Sequence, residues 1–397
     1  MRYFYEMTIS SQVLLVDRRA AIRRCIPLFL IASASLLLAL PADAQAKPQV
    51  DVIVFTNGDQ LTGTLEREVG DSVVFKSDMA GEITVPTAKI KELRANGEFV
   101  LLEKGEIVKR TVRPSGKLQY ADNQVSISGE KPQTVPVKNL AYAIDSATFK
   151  KEVLTNPTPL QGWNGSITGG ATLVRATDYG ETLTLGLGLA RVVPTVSFLP
   201  PRTRSTINVL ETYGKLTSPV IPQTTPPTPA AVTKTSIFHA DAEHDKYFSP
   251  RLYALANTAF DHNFAQGLNL QQIYGGGIGY TVLQSPVQQL DVKGDIHYER
   301  QNFFAPTPND NLIGSIFGEA YRRNLPHKVL FTETGSFIPA WNNSNAYSAV
   351  FGAGLVLPTY KRLSVNLNLL DNYLNNPAAG YNKNSFQFIT GVSYALK

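Results

Sequence analysis

The sequence predicts an all-β chain: a small β domain of SH3- or Sm-like repeats, then a transmembrane antiparallel β-barrel of about twelve strands. Three observations carry that expectation. Residues 163 to 397 alternate bulky apolar positions with polar or small ones, so successive side chains face opposite sides of a sheet. The runs are about ten to twelve residues long, twice the usual soluble strand and the length a tilted strand needs to cross a bilayer. Short connections alternate with longer polar ones, as in outer-membrane barrels. Charged residues make up only 17% of the 397-residue chain, against about 25% in ordinary soluble domains. Yet mean hydropathy is −0.09, too polar for a bundle of membrane-crossing helices.

Residues 1–44 read as a signal peptide. Arg18, Arg19, Arg23 and Arg24 precede the apolar stretch Ile26 to Leu40, followed by Pro41 and Ala42-Asp43-Ala44. A charged segment, an apolar segment and an A-x-A site in that order make Gln45 the expected first mature residue. The apolar run falls short of the roughly twenty residues of a spanning helix. Cys25, the single cysteine, lies before this run, so no lipoprotein box is expected, and the mature chain holds no disulfide or thiolate. The net charge of +5 partly reflects the leader arginines and gives no reason to expect nucleic-acid binding.

Residues 45–149 are expected to form the β domain, placed in the periplasm. Val52-Ile53-Val54-Phe55 is stopped by Asn57-Gly58-Asp59, a hairpin signal. Leu61 to Leu65, Val73-Val74-Phe75 and Ile83-Thr84-Val85 continue the pattern. A weak repeat follows: Phe99 to Leu102 with Gly105, then Val135-Pro136 with Leu140, echo Val52 to Phe55 with Gly58, then Val85-Pro86 with Ile90. Asp51, Asp59, Asp71 and Asp78 are read as turn residues, favoured there for backbone reasons, rather than as a cation site. Residues 150–162, with Lys150, Lys151, Pro157 and Pro159, read as a linker.

The barrel occupies residues 163–397. Strands are expected near 163–174, 181–192, 204–217, 235–245, 250–261, 271–283, 288–300, 312–323, 328–338, 346–357, 362–373 and 384–396. Short turns fall at 246–249, 284–287, 324–327 and 358–361, with longer loops at 262–270, 301–311, 339–345 and 374–383. That parity puts both barrel ends in the periplasm and the proline-rich stretch 218–233 outside the cell. Residues 193–203 break the pattern, being long and proline-bearing on the short-turn side. Phe386, Phe388, Thr390, Val392, Tyr394 and Leu396 give the last strand one apolar face, the signal expected to be read by the outer-membrane assembly machinery. Trp163, Tyr213, Tyr253, Tyr321, Trp341, Tyr347 and Tyr373 are girdle candidates. Closure follows from the solvent: lipid offers no hydrogen-bond partner to an open sheet edge.

Two rows concentrate charge. One holds His239, Asp241, Glu243 and Asp245; the other holds Asp291, Lys293, Asp295, His297 and Glu299, with Glu319 as a further candidate. Their opposite faces are apolar, so these rows are expected to line the lumen. They suit a satisfied polar network or a narrow cation-preferring pore. No G-x-S-x-G or H-E-x-x-H is present, and no catalytic residue, metal site or cofactor is expected. Gly275-Gly276-Gly277-Ile278-Gly279 lies inside a strand and reads as close packing, not a phosphate loop.

Asn57-Gly58-Asp59-Gln60-Leu61-Thr62-Gly63, Met79-Ala80-Gly81-Glu82-Ile83-Thr84-Val85-Pro86 and Trp163-Asn164-Gly165-Ser166 resemble the YdiY-like, salt-induced outer-membrane protein family, a family of unknown function. The resemblance implies an outer-membrane β-barrel without established catalytic residues, linked to envelope or salt stress. Its expected partners are outer-membrane lipid and the assembly machinery, with the chain a monomer.

Overall fold

The computed structural model describes residues 50–396, apart from Asp78, Ile107, Asn156, 176–178 and 219–230. The expected leader and most of the proline-rich loop lie outside the described residues. Nine strands form the first sheet: β1 (Asp51–Phe55), β2 (Gln60–Val69), β3 (Ser72–Ser77), β4 (Gly81–Pro86), β5 (Ile90–Glu103), β6 (Gly116–Ala121), β7 (Gln124–Ser128), β8 (Gln133–Pro136) and β9 (Leu140–Asp145). Their order is β4-β3-β2-β1-β5-β6-β7-β8, with β9 paired to β2 and β5.

The weak sequence repeat is a structural one. After each Val-Pro a single 3-10 turn, Thr87–Lys89 or Val137–Asn139, returns the chain to buried Ile90 or Leu140. The two prolines hold nearly identical backbone angles, φ −58° with ψ 132° and 136°. Strand β5 serves both copies: its first part pairs with β1 and its last part, from Phe99, with β9. Ile53, Phe75, Leu93, Leu101, Leu118 and Leu140 fill the shared core.

Asp51 is not a turn residue. It lies in β1, buried, and its carboxylate accepts the Leu65 N–H at 2.7 Å and the Asn96 N–H at 2.8 Å. The β2–β3 register shifts between Leu65 and Arg67, a bulge that moves alternation by one position. Glu68 is consequently turned into the core, fully buried with neither carboxylate oxygen hydrogen-bonded.

The expected linker begins later than 150. Helix α1 (Ser146–Phe149) is capped by Asp145, which accepts the Ala147 and Thr148 N–H groups at 3.1 and 2.8 Å. It continues as one wider turn, Lys150–Leu154. Phe149 and Val153 pack with Val100, Leu102 and Ile144 of the sheet and with Leu199 of the barrel. That contact explains the out-of-pattern connection 193–203. Thr195 donates its N–H and hydroxyl to Glu152 at 3.0 and 2.6 Å, and Arg202 donates to the carbonyls of Val153 and Glu152 at 3.0 and 3.3 Å. The Arg67 guanidinium lies 5.0 Å over the Phe198 ring. The connection is long because it docks one domain on the other.

The second sheet comprises β10 (Trp163–Arg175), β11 (Tyr179–Val193), β12 (Thr203–Ser218), β13 (Ala231–Tyr247), β14 (Leu252–Asn263), β15 (Leu268–Gln284), β16 (Gln288–Phe303), β17 (Asp310–Gly314), β18 (Phe317–Asn324), β19 (Leu330–Pro339), β20 (Tyr347–Tyr360), β21 (Leu363–Leu374) and β22 (Asn384–Leu396). Sequential neighbours pair antiparallel, and β10 pairs with β22, so the sheet is a closed twelve-strand barrel in which β17 and β18 share one place beside β16. The sequence reads this place as one strand, 312–323. It breaks because the Asp295 side chain accepts the Ile316 N–H at 2.6 Å, while the Ile316 carbonyl accepts the Asp295 N–H at 3.1 Å. Strands β12 and β13 stay paired out to Ser218 and Ala231, so their connecting loop is shorter than 218–233. Likewise β14 and β15 leave only 264–267 between them rather than 262–270.

Leu185, Ile278, Ile296, Phe386 and Phe388 stand on the outer rows, more than half exposed, while polar rows face inward. Tyr253 departs from the girdle expectation: it is fully buried, pointing inward with the Arg204 guanidinium 5.1 Å from its ring centre. The glycine run in β15 provides room for such groups. A Cβ on Gly279 would stand 2.1 Å from the Tyr253 ring, and one on Gly277 2.1 Å from the Gly294 carbonyl oxygen.

Candidate functional site

The inward rows of β12 to β16 pair every basic group with carboxylates: Arg204, His239 and His297 each face two, and Lys293 faces one. Arg204 donates to Asp245 at 2.6 Å and to Asp291 at 2.7 Å. His239 contacts Asp261 through Nδ1 at 2.6 Å and Asp241 through Nε2 at 2.9 Å. His297 contacts Asp295 through Nδ1 at 3.0 Å and faces Glu299 across 3.6 Å. Lys293 pairs with Glu243. Carboxylates outnumber basic groups even with both imidazoles protonated, so the interior is negative. Isolated charges would be expensive at such burial, and pairing makes them tolerable.

The two ends of the lumen differ. At the end facing the β domain, Arg204, Asp245, Asp291, Tyr253 and Thr281 form a knot; the Thr281 hydroxyl donates to Asp291 at 2.6 Å. At the other end, loops cross the mouth. The Gln266 side-chain amide donates to the Asn372 carbonyl at 2.9 Å and the Lys383 carbonyl at 2.7 Å, reaching β21 and the loop before β22 from between β14 and β15. Ala378 donates its N–H to the Gln266 carbonyl at 3.1 Å and is buried with Leu268, Phe303 and Leu374. Asn376 donates to Gln301 at 3.0 Å and to Asp310 at 3.1 Å. Strands β15 and β22 stand on opposite sides of the ring, so these contacts form a lid.

Between knot and lid lies a cavity of about 490 Å³. Of the residues singled out from sequence, His239, Asp241, Glu243, Asp291 and Lys293 line it. Asp245, Asp295, His297 and Glu299 are buried in the network around it. Glu319 borders the cavity, but its side chain belongs to the other row: it pairs with Val292 beside exposed Phe317 and lies over Gly335. The register therefore turns Glu319 outward. Arg204, Asp261 and Gln266 escaped sequence reasoning. Arg204 shares the inward row of Thr206 and Asn208, a polar alternation that could have revealed it. Gln266 sits in a loop, where no periodic signal exists. Among the described residues, no group of three or more His, Cys, Asp or Glu is arranged to hold a metal ion.

Residues 227–396 match the model of a family described as a protein of unknown function, DUF481. No curated protein matches the chain in sequence. Similar solved structures include a bacterial polysaccharide outer membrane secretin, at 9% identity and TM-score 0.30, covering 59% of this chain and 98% of that one. The transport unit of the autotransporter AIDA-I from Escherichia coli has 14% identity and TM-score 0.28, covering 63% of this chain and 97% of that one. The CymD monoaromatic hydrocarbon channel has 8% identity and TM-score 0.26, covering 75% of this chain and 86% of that one.

Proposed function

We propose that this is a noncatalytic outer-membrane protein whose barrel is a gated passage for small cations, closed in the conformation described. The docked β domain lies in the periplasm, the lid faces outside, and the chain works as a monomer in a response to envelope or salt stress. The observation that carries the reading is the lid: hydrogen bonds from Gln266 span the mouth above a negative chamber of about 490 Å³. An acidic lumen favours cations over anions. A lid held by a few hydrogen bonds, each contributing about 1 kcal/mol net, can open thermally and be opened by substitution.

The test is conductance of the chain from Gln45 in planar bilayers, with heat-modifiable gel migration as the folding control. The wild type is expected to be mostly silent, with rare openings that pass potassium in preference to chloride. Gln266→Ala removes two bonds across the mouth, and should raise the open fraction by roughly 30-fold. Folded protein that stays silent in both forms refutes the passage.

A further inference from the structure

The chamber is not uniformly polar. Its charged side carries Asp241, Glu243 and Asp261, with His239 set between Asp241 and Asp261 and Lys293 paired to Glu243, so the carboxylates there outnumber the basic groups. Elsewhere Leu210, Ile237, Ile273, Ile338, Val350 and Leu370 present hydrocarbon. A passage for hydrated metal ions gains nothing from hydrocarbon walls, whereas a ligand with an apolar body does. A second feature is independent of the charges. Gln387, on the inward row of β22, lines the chamber with only 9% of its surface exposed, and neither its amide nitrogen nor its amide oxygen has a hydrogen-bond partner. An orphaned buried amide is costly unless a ligand or water satisfies it. The Tyr253 hydroxyl and the Asn257 side-chain oxygen, also on the wall, are orphaned too.

We infer that the chamber binds a small organic cation: an ammonium group against the Asp241–Asp261 side, an apolar body along Ile338, Val350 and Leu370, and a hydroxyl or carbonyl that pairs with Gln387. The inference rests on the closed-chamber reading and names what the chamber holds. A volume of about 490 Å³ falls within the range of ordinary ligand pockets. Shape and charge then divide the labour: the acidic side selects the sign, the hydrocarbon favours an apolar body, and Gln387 selects the polar tail.

Tyramine carries all three features and is the probe. Calorimetric titration of the detergent-folded full chain should show tyramine binding at least about tenfold tighter than 4-hydroxyphenylpropionate, its anionic counterpart, and 4-ethylphenol, its uncharged one. Phenethylamine, lacking the hydroxyl, should bind about fivefold more weakly than tyramine. Gln387→Leu removes an unsatisfied amide, so it should fold, and it should erase the difference between tyramine and phenethylamine. Asp241→Asn should weaken both amines about tenfold. Equal binding of amine, acid and phenol, or no binding by folded protein, overturns the assignment. The titration needs no current. Tyramine binding without conductance supports the ligand class and removes the passage; cation current without discrimination among the three compounds does the reverse.

Discussion

Glu68 makes the β domain sensitive to pH in a direction that can be worked out. Its carboxyl is fully buried with no hydrogen-bond partner, and burial raises its pKa from the usual 4.5 to about 7. Burial disfavours the charged form, so the folded domain keeps the proton while the unfolded chain begins to lose it near 4.5. Stability contributed by the protonated group is therefore complete below 4.5 and is lost as pH rises through about 7. At about 1.4 kcal/mol per pKa unit, moving from pH 5 to pH 8.5 destabilises the domain by about 2.5 kcal/mol. With a urea dependence of about 1–2 kcal/mol per molar, the unfolding midpoint should fall by roughly 1 to 2.5 M. Pulse proteolysis of the full chain, following fragments of residues 50–150, measures that midpoint without isolating the domain. Glu68→Gln cannot ionise, so its midpoint should barely change between the two pH values and should exceed the wild type's at pH 8.5. A wild-type midpoint that holds or rises with pH, or a Glu68→Gln midpoint that still falls as far, refutes the reasoning.

Two further expectations follow from packing. Leu199→Ala hollows the cluster that docks the barrel connection on Phe149 and Val153, at a cost of about 2–4 kcal/mol. Thermolysin cleavage within 155–162 of the native full chain should accelerate by roughly 30-fold or more; an unchanged rate means that the contact does not hold the domains together. Gly279→Ala puts a methyl 2.1 Å from the Tyr253 ring and forces that ring off Arg204. The lumen knot should loosen, lowering the temperature at which the heat-modifiable band is lost by several degrees. Retention of the wild-type transition would show that β15 has room there after all.

What the chain reveals and conceals follows the range of each interaction. The rows of β13 and β16 are legible because alternation is a local property: His239 and Asp241, and Asp291 to His297, are flanked by apolar or small neighbours facing the other way. In β14 the inward row mixes Tyr253, Leu255, Asn257 and Asp261 while the outward row carries Ala254, Ala256 and Thr258, so parity is blurred and Tyr253 passes for a girdle residue. Glu319 misleads for the same reason, because Gly318 and Ala320 on the inward row of β18 give no polar contrast. The break between β17 and β18 depends on a side chain from another strand, Asp295; nothing around Ser315 and Ile316 announces it.

The lid is less legible still, since Gln266 finds carbonyls 106 and 117 residues away through bonds that leave no periodic trace. These illegible features are concentrated where the barrel departs from a plain tube. A plain tube needs only alternation, which is local; loops that cross its mouth require contacts between distant strands that alternation does not demand. Hydrogen-bonded loops over the mouth and unsatisfied Gln387 within it add nothing to membrane insertion. Their presence is the physical argument that supports the proposed role of the lumen rather than the lipid-facing wall.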